Sequence, residues 1–279
     1  MSTTEAIPSP QHAPPGRPES VVAFSHVAIG FDGNTVLRDV NFQAQTGEMR
    51  ILLGPAGAGK SILLKLANGL IHPDSGSIKI FGQEITTMPE EEMFPIRSRI
   101  GMVFQESALF DSLSVRNNVA FRLNEQHADP EEIDRRVKDS LRFVELEDAI
   151  DKFPAELSGG MRRRVAIARA IATHPELLLY DSPTGGLDPI TSDTIIQLVM
   201  KQRDVYENTA LLVTHRLQDA FTLATHRFNR ETNQMERIEN DGVDVNTTIM
   251  VLKNGVLAFN GSLIDLLRCK DPYIQEYMA

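Results

Sequence analysis

The sequence contains one stretch whose spacing is typical of a phosphate-binding loop. Residues 54–61 read GPAGAGKS, which fits G-x-x-x-x-G-K-[ST], and they follow the apolar run at 49–53. With a strand before this loop and a helix after it, the glycines let backbone N–H groups turn toward a phosphate at the positive helix end. Lys60 would reach the β- and γ-phosphate oxygens, and the Ser61 hydroxyl would bind Mg²⁺. The alternative is a purely structural glycine-rich turn.

Polar residues also stand at the ends of three other predicted strands. Gln105 ends RIGMVFQ, Asp181 ends LLLYD, and His215 follows TALLVT. Because the carboxyl ends of parallel strands meet at one edge of a sheet, we expect these side chains to lie near the phosphate loop. Asp181 is then placed to orient Mg²⁺, and His215 to lie near a γ-phosphate. A strand-end glutamine or histidine can also be merely structural.

A second candidate anion site precedes the helix RRRVAIARAIA. Ser158, Gly159 and Gly160 present a hydroxyl and unshielded N–H groups at a positive helix end, although the same residues also suit a turn and an N-cap. We interpret the arginines at 162–164 as a solvated or interfacial helix face. Phe31, before a Gly-Asn turn, could stack on a purine ring, but an isolated aromatic is more often part of a core.

The composition excludes several functional classes. A net charge of −10 over 279 residues argues against a nucleic-acid-binding face or a basic membrane anchor. One cysteine, Cys269, excludes an internal disulfide and fits a reducing compartment. The sequence shows neither a run of about 18 apolar residues nor a secretory signal, so we expect a cytoplasmic protein that reaches any membrane through a partner.

The chain divides into segments of different character. Residues 1–20 carry five prolines and predict a disordered tail before one domain at 21–279. An antiparallel edge sheet is expected at 21–42, and a helical subdomain at about 106–160. The polar stretch at 226–248 is either a small β-excursion or a mobile loop, before a hairpin that turns at Asn254-Gly255.

Together these motifs resemble one family. GPAGAGKS, Gln105, LSGGM, LLLYD, GGLD and His215 follow the order and spacing of an ABC transporter ATP-binding subunit over residues 21–279. The resemblance implies an α/β fold: a P-loop NTPase core of ABC ATPase type with an antiparallel β subdomain and an inserted helical subdomain. It implies ATP and Mg²⁺ as cofactors. It also implies a head-to-tail homodimer in which the signature of one copy covers the ATP held by the other.

The resemblance further assigns roles to individual residues. Nucleotide contacts are implied for Phe31, Gly54, Pro55, Ala56, Gly57, Ala58, Gly59, Lys60, Ser61, Ser158, Gly159 and Gly160. Metal contacts are implied for Ser61, Gln105 and Asp181. Gln105, His215 and the position held by Ser182 are implied to be catalytic, and a D-loop lies around Asp188.

Met161 within ELSGGMRRRVAIARA, the stretch GMVFQESALFDSLSVRNNVAF and the C-terminal DPYIQEY are most similar to the ATPase of Mla-type transporters. That resemblance implies a transmembrane permease above the ATPase at the cytoplasmic face of the inner membrane, and an MCE-domain partner. It implies phospholipid as cargo, which the ATPase does not contact, and no nucleic acid partner. Residues 107–115 are then expected to receive the permease's coupling helix.

One residue departs from the family pattern. Ser182 follows the Walker B aspartate, where the family has a glutamate. A hydroxyl is no base near neutral pH, and a positioned general base contributes about 10²–10⁴ in rate, so we expect slow turnover. Three alternatives stay open: a nucleotide-gated switch with little hydrolysis, an importer ATPase for another solute such as an amino acid or metal, and a soluble ABC protein of DNA repair or translation. The single cassette without a long heptad insertion counts against the last.

Overall fold

The computed structural model describes residues 20–239 and 242–278. The predicted disordered tail therefore lies, apart from Ser20, outside the described residues. The strands in this part of the chain are β1 (Ser20–Phe31), β2 (Asn34–Gln45), β3 (Met49–Leu53), β4 (Ser75–Ile80), β5 (Gln83–Glu84), β6 (Ile100–Val103), β7 (Leu177–Asp181), β8 (Thr209–Thr214), β9 (His226–Asn229), β10 (Gln234–Arg237), β11 (Thr247–Lys253) and β12 (Val256–Gly261). The helices are α1 (Lys60–Ala67), α2 (Glu90–Arg97), α3 (Val115–Glu125), α4 (Pro130–Phe143), α5 (Gly159–Ile171), α6 (Pro189–Tyr206), α7 (Leu217–Thr225), α8 (Leu263–Arg268) and α9 (Pro272–Met278).

The central sheet has the order β12-β11-β3-β8-β7-β6. Its strands from β11 to β6 run parallel, and β12 pairs antiparallel with β11 at one edge. The register sets Leu53 beside Thr214, and Asp181 beside Val213. The phosphate loop, Asp181 and His215 therefore meet at one edge of the sheet, as the sequence predicts.

Burial on both faces explains why the central strands are apolar throughout. In β7, Leu178 and Tyr180 belong to a core shared with the helices α3 to α6, whereas Leu177 and Leu179 belong to a core shared with β1, β2 and α1. A parallel strand covered on both sides reads as a continuous apolar run rather than as an alternation. LLLYD shows that run, and its aspartate falls at the carboxyl end of the buried strand.

A second, antiparallel sheet with the order β2-β1-β4-β5 packs beside the central sheet. β1 and β2 join through Asp32 and Gly33, which have φ values of 50° and 78°. This left-handed backbone is the one that tight hairpin turns require, and glycine adopts it without steric cost. The turn leaves Phe31 at the end of β1, 44% exposed.

Helices fill the segment for which the sequence predicts a helical subdomain. Ser114 caps α3 and Asp129 caps α4, whose first residue is Pro130. Two short 3-10 turns at Glu147–Ala149 and Pro154–Glu156 lead to α5. The limits of this segment as a subdomain stay a prediction.

The polar stretch after α7 forms a two-stranded hairpin, β9 and β10, in its described part. The hairpin is anchored to α6: the buried Arg203 donates to the His226 carbonyl at 2.9 Å, and Phe228 N–H donates to Asp204 at 2.7 Å. Of the two interpretations of this stretch, the β-excursion is therefore the observed one.

Candidate functional site

A cavity of about 450 Å³ opens at the carboxyl edge of the central sheet. Its lining residues are Phe31, Val36, Ala56, Gly57, Gly59, Lys60, Ser61, Ile62, Gln105, Ser182 and His215. The structure thus brings together predicted residues from five separate segments of the chain. Val36 and Ile62 are additional walls that the sequence did not single out. The predicted residues outside this lining are Gly54, Pro55, Ala58, Ser158, Gly159, Gly160 and Asp181.

The phosphate loop delivers the positive end of α1 to the cavity. α1 begins at Lys60 after Gly59, and its first turn carries no acidic residue that would neutralise the helix dipole. Gly59 has a φ of 100°, and a Cβ there would lie 2.8 Å from Val36 Cγ1. Gly57 also adopts the left-handed conformation, with a φ of 76°. Only glycine fits both positions without strain, so this loop geometry supports anion binding through backbone N–H groups.

The side chain of Lys60 folds back onto the phosphate loop. Its Nζ donates to the carbonyls of Gly54 and Pro55, each at 2.8 Å. Burial lowers the pKa of this ammonium, and the nearby carboxylate of Asp181 opposes that shift. The phosphate loop therefore has a cation and an anion close to its helix start.

Ser61 and Asp181 form a compact oxygen cluster next to Lys60. The Ser61 hydroxyl donates to Asp181 Oδ1 at 3.0 Å. Burial raises the pKa of Asp181, while Ser61 and Lys60 act in the opposite direction. No group of three or more His, Cys, Asp or Glu side chains suited to a metal occurs in the described ranges. One carboxylate with a hydroxyl fits Mg²⁺, which takes few protein ligands and completes its shell with waters and substrate phosphates.

The other side of the cavity carries Gln105, Ser182 and His215. Ser182 is 7% exposed and has a φ of 44°; its N–H donates to the Val213 carbonyl at 2.9 Å, and its own carbonyl accepts from Gly185 N–H at 2.9 Å. The backbone of Ser182 is therefore held firmly at the end of β7. Within the described lining of the cavity, every side chain lacks a carboxylate. This side accordingly offers no carboxylate base, and His215 carries its one imidazole.

Residues 158–160, which the resemblance implies to be the ABC signature, lie at the start of α5 and outside the cavity lining of their own chain. Ser158 caps the helix by accepting from Met161 N–H at 3.2 Å, and both Ser158 and Gly159 are exposed. A Cβ on Gly160 would lie 2.5 Å from Thr191 Cγ2, so this glycine permits close contact with the first turn of α6. Asp188 caps that turn, and its hydrogen bonds with Thr191 lower the pKa of Asp188.

A buried polar network behind the cavity escaped the sequence reasoning. Asp219 in α7 accepts hydrogen bonds from the hydroxyls of Thr184 and Thr214, and Arg216 lies 3.6 Å from it. These contacts fix the loop after Ser182 and the strand end before His215. The only local signal of this network is Asp219 itself, in the first turn of α7. An acidic residue there more commonly stabilises the helix dipole than marks a functional site.

A groove of about 430 Å³, here called the subdomain groove, separates the central sheet from α3. Its walls include Phe104, Phe110, Phe121, Arg122 and Arg169. The rings of Phe110 and Phe121 lie 4.5 Å apart, and Phe110 is exposed. The groove lies beside the segment that the sequence predicts to receive a coupling helix.

Comparison with known proteins decides the family. A sequence model described as "ABC transporter" matches residues 37–185, more than half of the chain. The chain belongs to the ABC transporter family. Its architecture confirms the predicted ABC ATPase fold with a P-loop core and an antiparallel β subdomain. No helix in the described part of this ABC protein combines the length and apolar character needed to cross a membrane.

Solved ABC structures share this fold over most of the chain. The dimeric bacterial cassette MJ0796 is 29% identical with a TM-score of 0.73, and the similarity covers 87% of this chain and 98% of that one. CbiO1 from Clostridium perfringens, part of the transporter complex cbiONQ, is 26% identical with a TM-score of 0.76, covering 91% and 92% of the two chains.

Similar ABC sequences carry the name of methionine importers. The methionine import ATP-binding protein MetN of Bifidobacterium longum is 38% identical over 206 residues, which are 71% of this chain and 51% of that protein. MetN of Corynebacterium jeikeium is 42% identical over 188 residues, or 67% and 51% of the two chains. This ABC chain thus spans about half the length of these relatives. Their names give no support to the narrower prediction of an Mla-type lipid transporter.

Proposed function

We propose that this chain is the ATP-binding subunit of an ABC transporter, which binds Mg-ATP at the carboxyl edge of its central sheet. The observation that carries the proposal is the cavity of about 450 Å³ in which Phe31, the phosphate loop, Gln105 and His215 converge. Such a cavity at the carboxyl ends of parallel strands is where open α/β sheets bind ligands. The residues come from distant segments, so their convergence supports a common task.

Each side chain has a distinct role in this proposal. The Phe31 ring stacks on the adenine, and the N–H groups of residues 54–61 hold the phosphates at the start of α1. Lys60 exchanges its bonds to the Gly54 and Pro55 carbonyls for bonds to phosphate oxygens. Ser61 and Asp181, with Gln105, hold Mg²⁺, which neutralises charge on the phosphates when bound. Ser158, Gly159 and Gly160 contact the ATP of a second copy in a head-to-tail dimer.

Hydrolysis in this site proceeds without a carboxylate base. Gln105 and His215 position the attacking water and the γ-phosphate, and charge stabilisation dominates phosphoryl transfer. Turnover is therefore slow rather than absent. A second candidate function, a nucleotide-gated switch that dimerises on ATP with little hydrolysis, is favoured by the same absence of a carboxylate from the described cavity lining.

The proposed partner is a transmembrane permease, which holds the subunit at the cytoplasmic face of the membrane. The subdomain groove offers the apolar wall of Phe110 and Phe121 to a helix of that permease. Asp111 is exposed beside Phe110. Asp111→Lys should reduce co-purification with the permease by about tenfold or more while the affinity for ATP stays unchanged, because a reversed charge at an interface is repelled. Asp148→Lys, an exposed reversal outside the groove lining, is the matched control, and equal capture of both variants would contradict the placement.

Two cargo hypotheses accompany the proposal. The names of the relatives favour the importer alternative, with a solute such as methionine. The resemblance of ELSGGMRRRVAIARA and DPYIQEY to Mla-type ATPases favours phospholipid, with an MCE-domain partner. An ATP-binding subunit does not contact cargo, so the test is stimulation of turnover in the assembled transporter by L-methionine or by phospholipid vesicles. Stimulation by one of the two selects its hypothesis, and stimulation by neither contradicts both.

Calorimetry on the purified chain tests the binding proposal. Lys60→Ala removes the ammonium that meets the phosphates, so the dissociation constant for Mg-ATP should rise by about 100-fold, the order of two charge-assisted hydrogen bonds. Lys65→Ala, in the same helix but outside the cavity lining, is the control and should leave it unchanged. Equal affinity of wild type and Lys60→Ala would remove the phosphate-loop assignment.

A further inference from the structure

Two arginines of α5, Arg163 and Arg169, direct their guanidinium groups to backbone carbonyls of other segments. The sequence suggests a solvated or interfacial face at 162–164, and this is wrong for Arg163, which is 5% exposed. Arg163 Nη1 donates to the Phe104 carbonyl at 3.0 Å, and Nη2 donates to the Gly185 carbonyl at 3.2 Å. Both acceptors lie on other segments. Arg163 therefore ties α5 to the backbone immediately before Gln105 and to the loop after Ser182.

A second arginine of the same helix holds the other end of the Gln105 loop. Arg169 donates from Nη1 to the Ala108 carbonyl at 2.7 Å and from Nη2 to the Ser107 carbonyl at 2.9 Å. Ser107 and Ala108 have φ values of 64° and 47°. Two consecutive non-glycine residues in the left-handed region are strained, and such a conformation persists only where the surroundings hold it. Arg169 supplies that restraint.

Gly185 lies where the Gln105 loop meets the loop after Ser182. Its N–H bonds the Ser182 carbonyl, and a Cβ built on it would lie 3.5 Å from Ser182 Cβ and 3.6 Å from Gln105 Cγ. Arg163 thus bonds the carbonyl of Gly185, the residue that lies between the side chains of Ser182 and Gln105. These two side chains share one side of the cavity with His215. A shift of Arg163 would move both.

The electrostatic surroundings set these arginines apart from ordinary ion-paired ones. Burial lowers the pKa of Arg163, while the charges of Glu106 and Asp181 oppose that shift. Burial also lowers the pKa of Arg169. Within the described residues, neither guanidinium lies within 4.0 Å of a carboxylate, and both donate to backbone carbonyls. Burying a charge is costly, and here the bonds formed fix backbone position.

We infer that Arg163 and Arg169 are positioning residues that make the Gln105 loop, residues 104–108, move as one body with α5. The inference rests on the proposed function. Since α5 also carries Ser158 at its start, contact of that serine with the second ATP of the dimer is passed to Gln105 and Ser182 of the same chain. Arg169 extends the link to the subdomain groove, because it lines that groove as well.

Arg163 and Arg169 are together called the arginine clamp. Three conservative variants test it: Arg163→Lys, Arg169→Lys and the double variant. Lysine keeps the charge but ends in a single nitrogen, so it lacks the planar fork that holds a separate nitrogen against each of the two carbonyls. Arg164→Lys is the matched control, because Arg164 is the neighbour of Arg163 and donates to the Val144 carbonyl at 3.0 Å, outside the Gln105 loop. The readouts are the affinity for Mg-ATP, single-turnover hydrolysis and hydrogen exchange at 104–108.

We expect each clamp variant to bind Mg-ATP within about twofold of wild type and to hydrolyse it about tenfold more slowly, the order of one charge-assisted hydrogen bond. Exchange at 104–108 should rise. The double variant should lose less than the product of the single losses, because both arginines act on one loop. Arg164→Lys should match wild type. A Lys variant that lowers ATP affinity and thermal midpoint together would show a merely structural role and overturn the inference.

Hydrolysis by the Arg163→Lys and Arg169→Lys proteins equal to that of Arg164→Lys would also overturn it. The outcome is separable from the proposed function. If wild type neither binds nor hydrolyses ATP, the proposed function fails. If wild type does both and the clamp variants equal the control, only the clamp fails.

Discussion

The two sides of the cavity differ in what their side chains can do. On the binding side, Lys60, Ser61 and the start of α1 supply a cation, a hydroxyl and the positive end of a helix dipole. On the hydrolytic side, Gln105, Ser182 and His215 supply positioning groups without a carboxylate. The contrast teaches that, under the proposed function, the groups for nucleotide binding and those for hydrolysis come from separate segments. One can therefore be complete while the other lacks a component.

The largest expected effect comes from restoring a base on the hydrolytic side. Ser182→Glu should raise hydrolysis by about 10²–10⁴, the contribution of a positioned general base, with little change in ATP affinity because the binding side is untouched. Ser182→Gln has the same length and no basic group, so it should stay near wild type. Single-turnover hydrolysis separates the three proteins. A glutamate variant no faster than the glutamine variant would show that the missing base is not limiting.

A smaller effect is expected from the aromatic ring at the far end of the binding side. Phe31→Ala should raise the dissociation constant for Mg-ATP by about tenfold, within the 1–3 kcal/mol that stacking on a base contributes. The rate from the bound state should stay constant. Phe31→Tyr keeps the ring and serves as the control. If alanine and tyrosine bind ATP alike in a fluorescence titration, the ring does not stack on adenine.

The smallest effect concerns stability. Burial raises the pKa of Asp181, so the folded state binds a proton more readily than the unfolded chain. Stability therefore falls as pH rises from the ordinary aspartate range through the raised pKa, and the ionised form at neutral pH destabilises the fold. Asp181→Asn should raise the thermal midpoint by about 2–4 °C at pH 7, and the gain should vanish in acid.

Asp188→Asn is the opposite case, because its hydrogen bonds with Thr191 lower the pKa of Asp188. Its ionised form is favoured by folding, so the asparagine variant should show no gain. Differential scanning fluorimetry against pH, without nucleotide, compares the two. A midpoint of Asp181→Asn at or below wild type at pH 7 would contradict the expected cost of the buried carboxylate.

The sequence predicts where the phosphate loop, Asp181 and His215 meet, because the signals for this arrangement are local. The loop at 54–61 encodes its own turn and helix start, and strands that run parallel must end at one edge, which places Asp181 and His215 beside it. Gln105 reaches the same edge through β6. These conclusions need only the expectation that the strands run parallel, which their continuous apolar runs indicate.

The parts that escaped prediction depend on contacts between distant segments. Arg163 meets Phe104 across 59 residues and Arg169 meets Ser107 across 62, and in sequence both read as polar residues of a helix. Asp219 meets Thr184 across 35 residues. The sequence leaves open whether residues 226–248 form a β-excursion or a mobile loop. The β9–β10 hairpin is held by the buried Arg203 of α6, and its own polar sequence carries no sign of that contact.

The lifetime of the ATP-bound dimer tests the central claim most directly, that the site closes on ATP but lacks a carboxylate base. Wild type, Ser182→Glu and Ser182→Gln are loaded with Mg-ATP, free nucleotide is removed, and dimer decay is followed by light scattering. We predict that the wild-type dimer outlives the glutamate variant by about 100-fold or more and matches the glutamine variant. A wild-type dimer that decays as fast as the glutamate variant, or that never forms, would contradict the account.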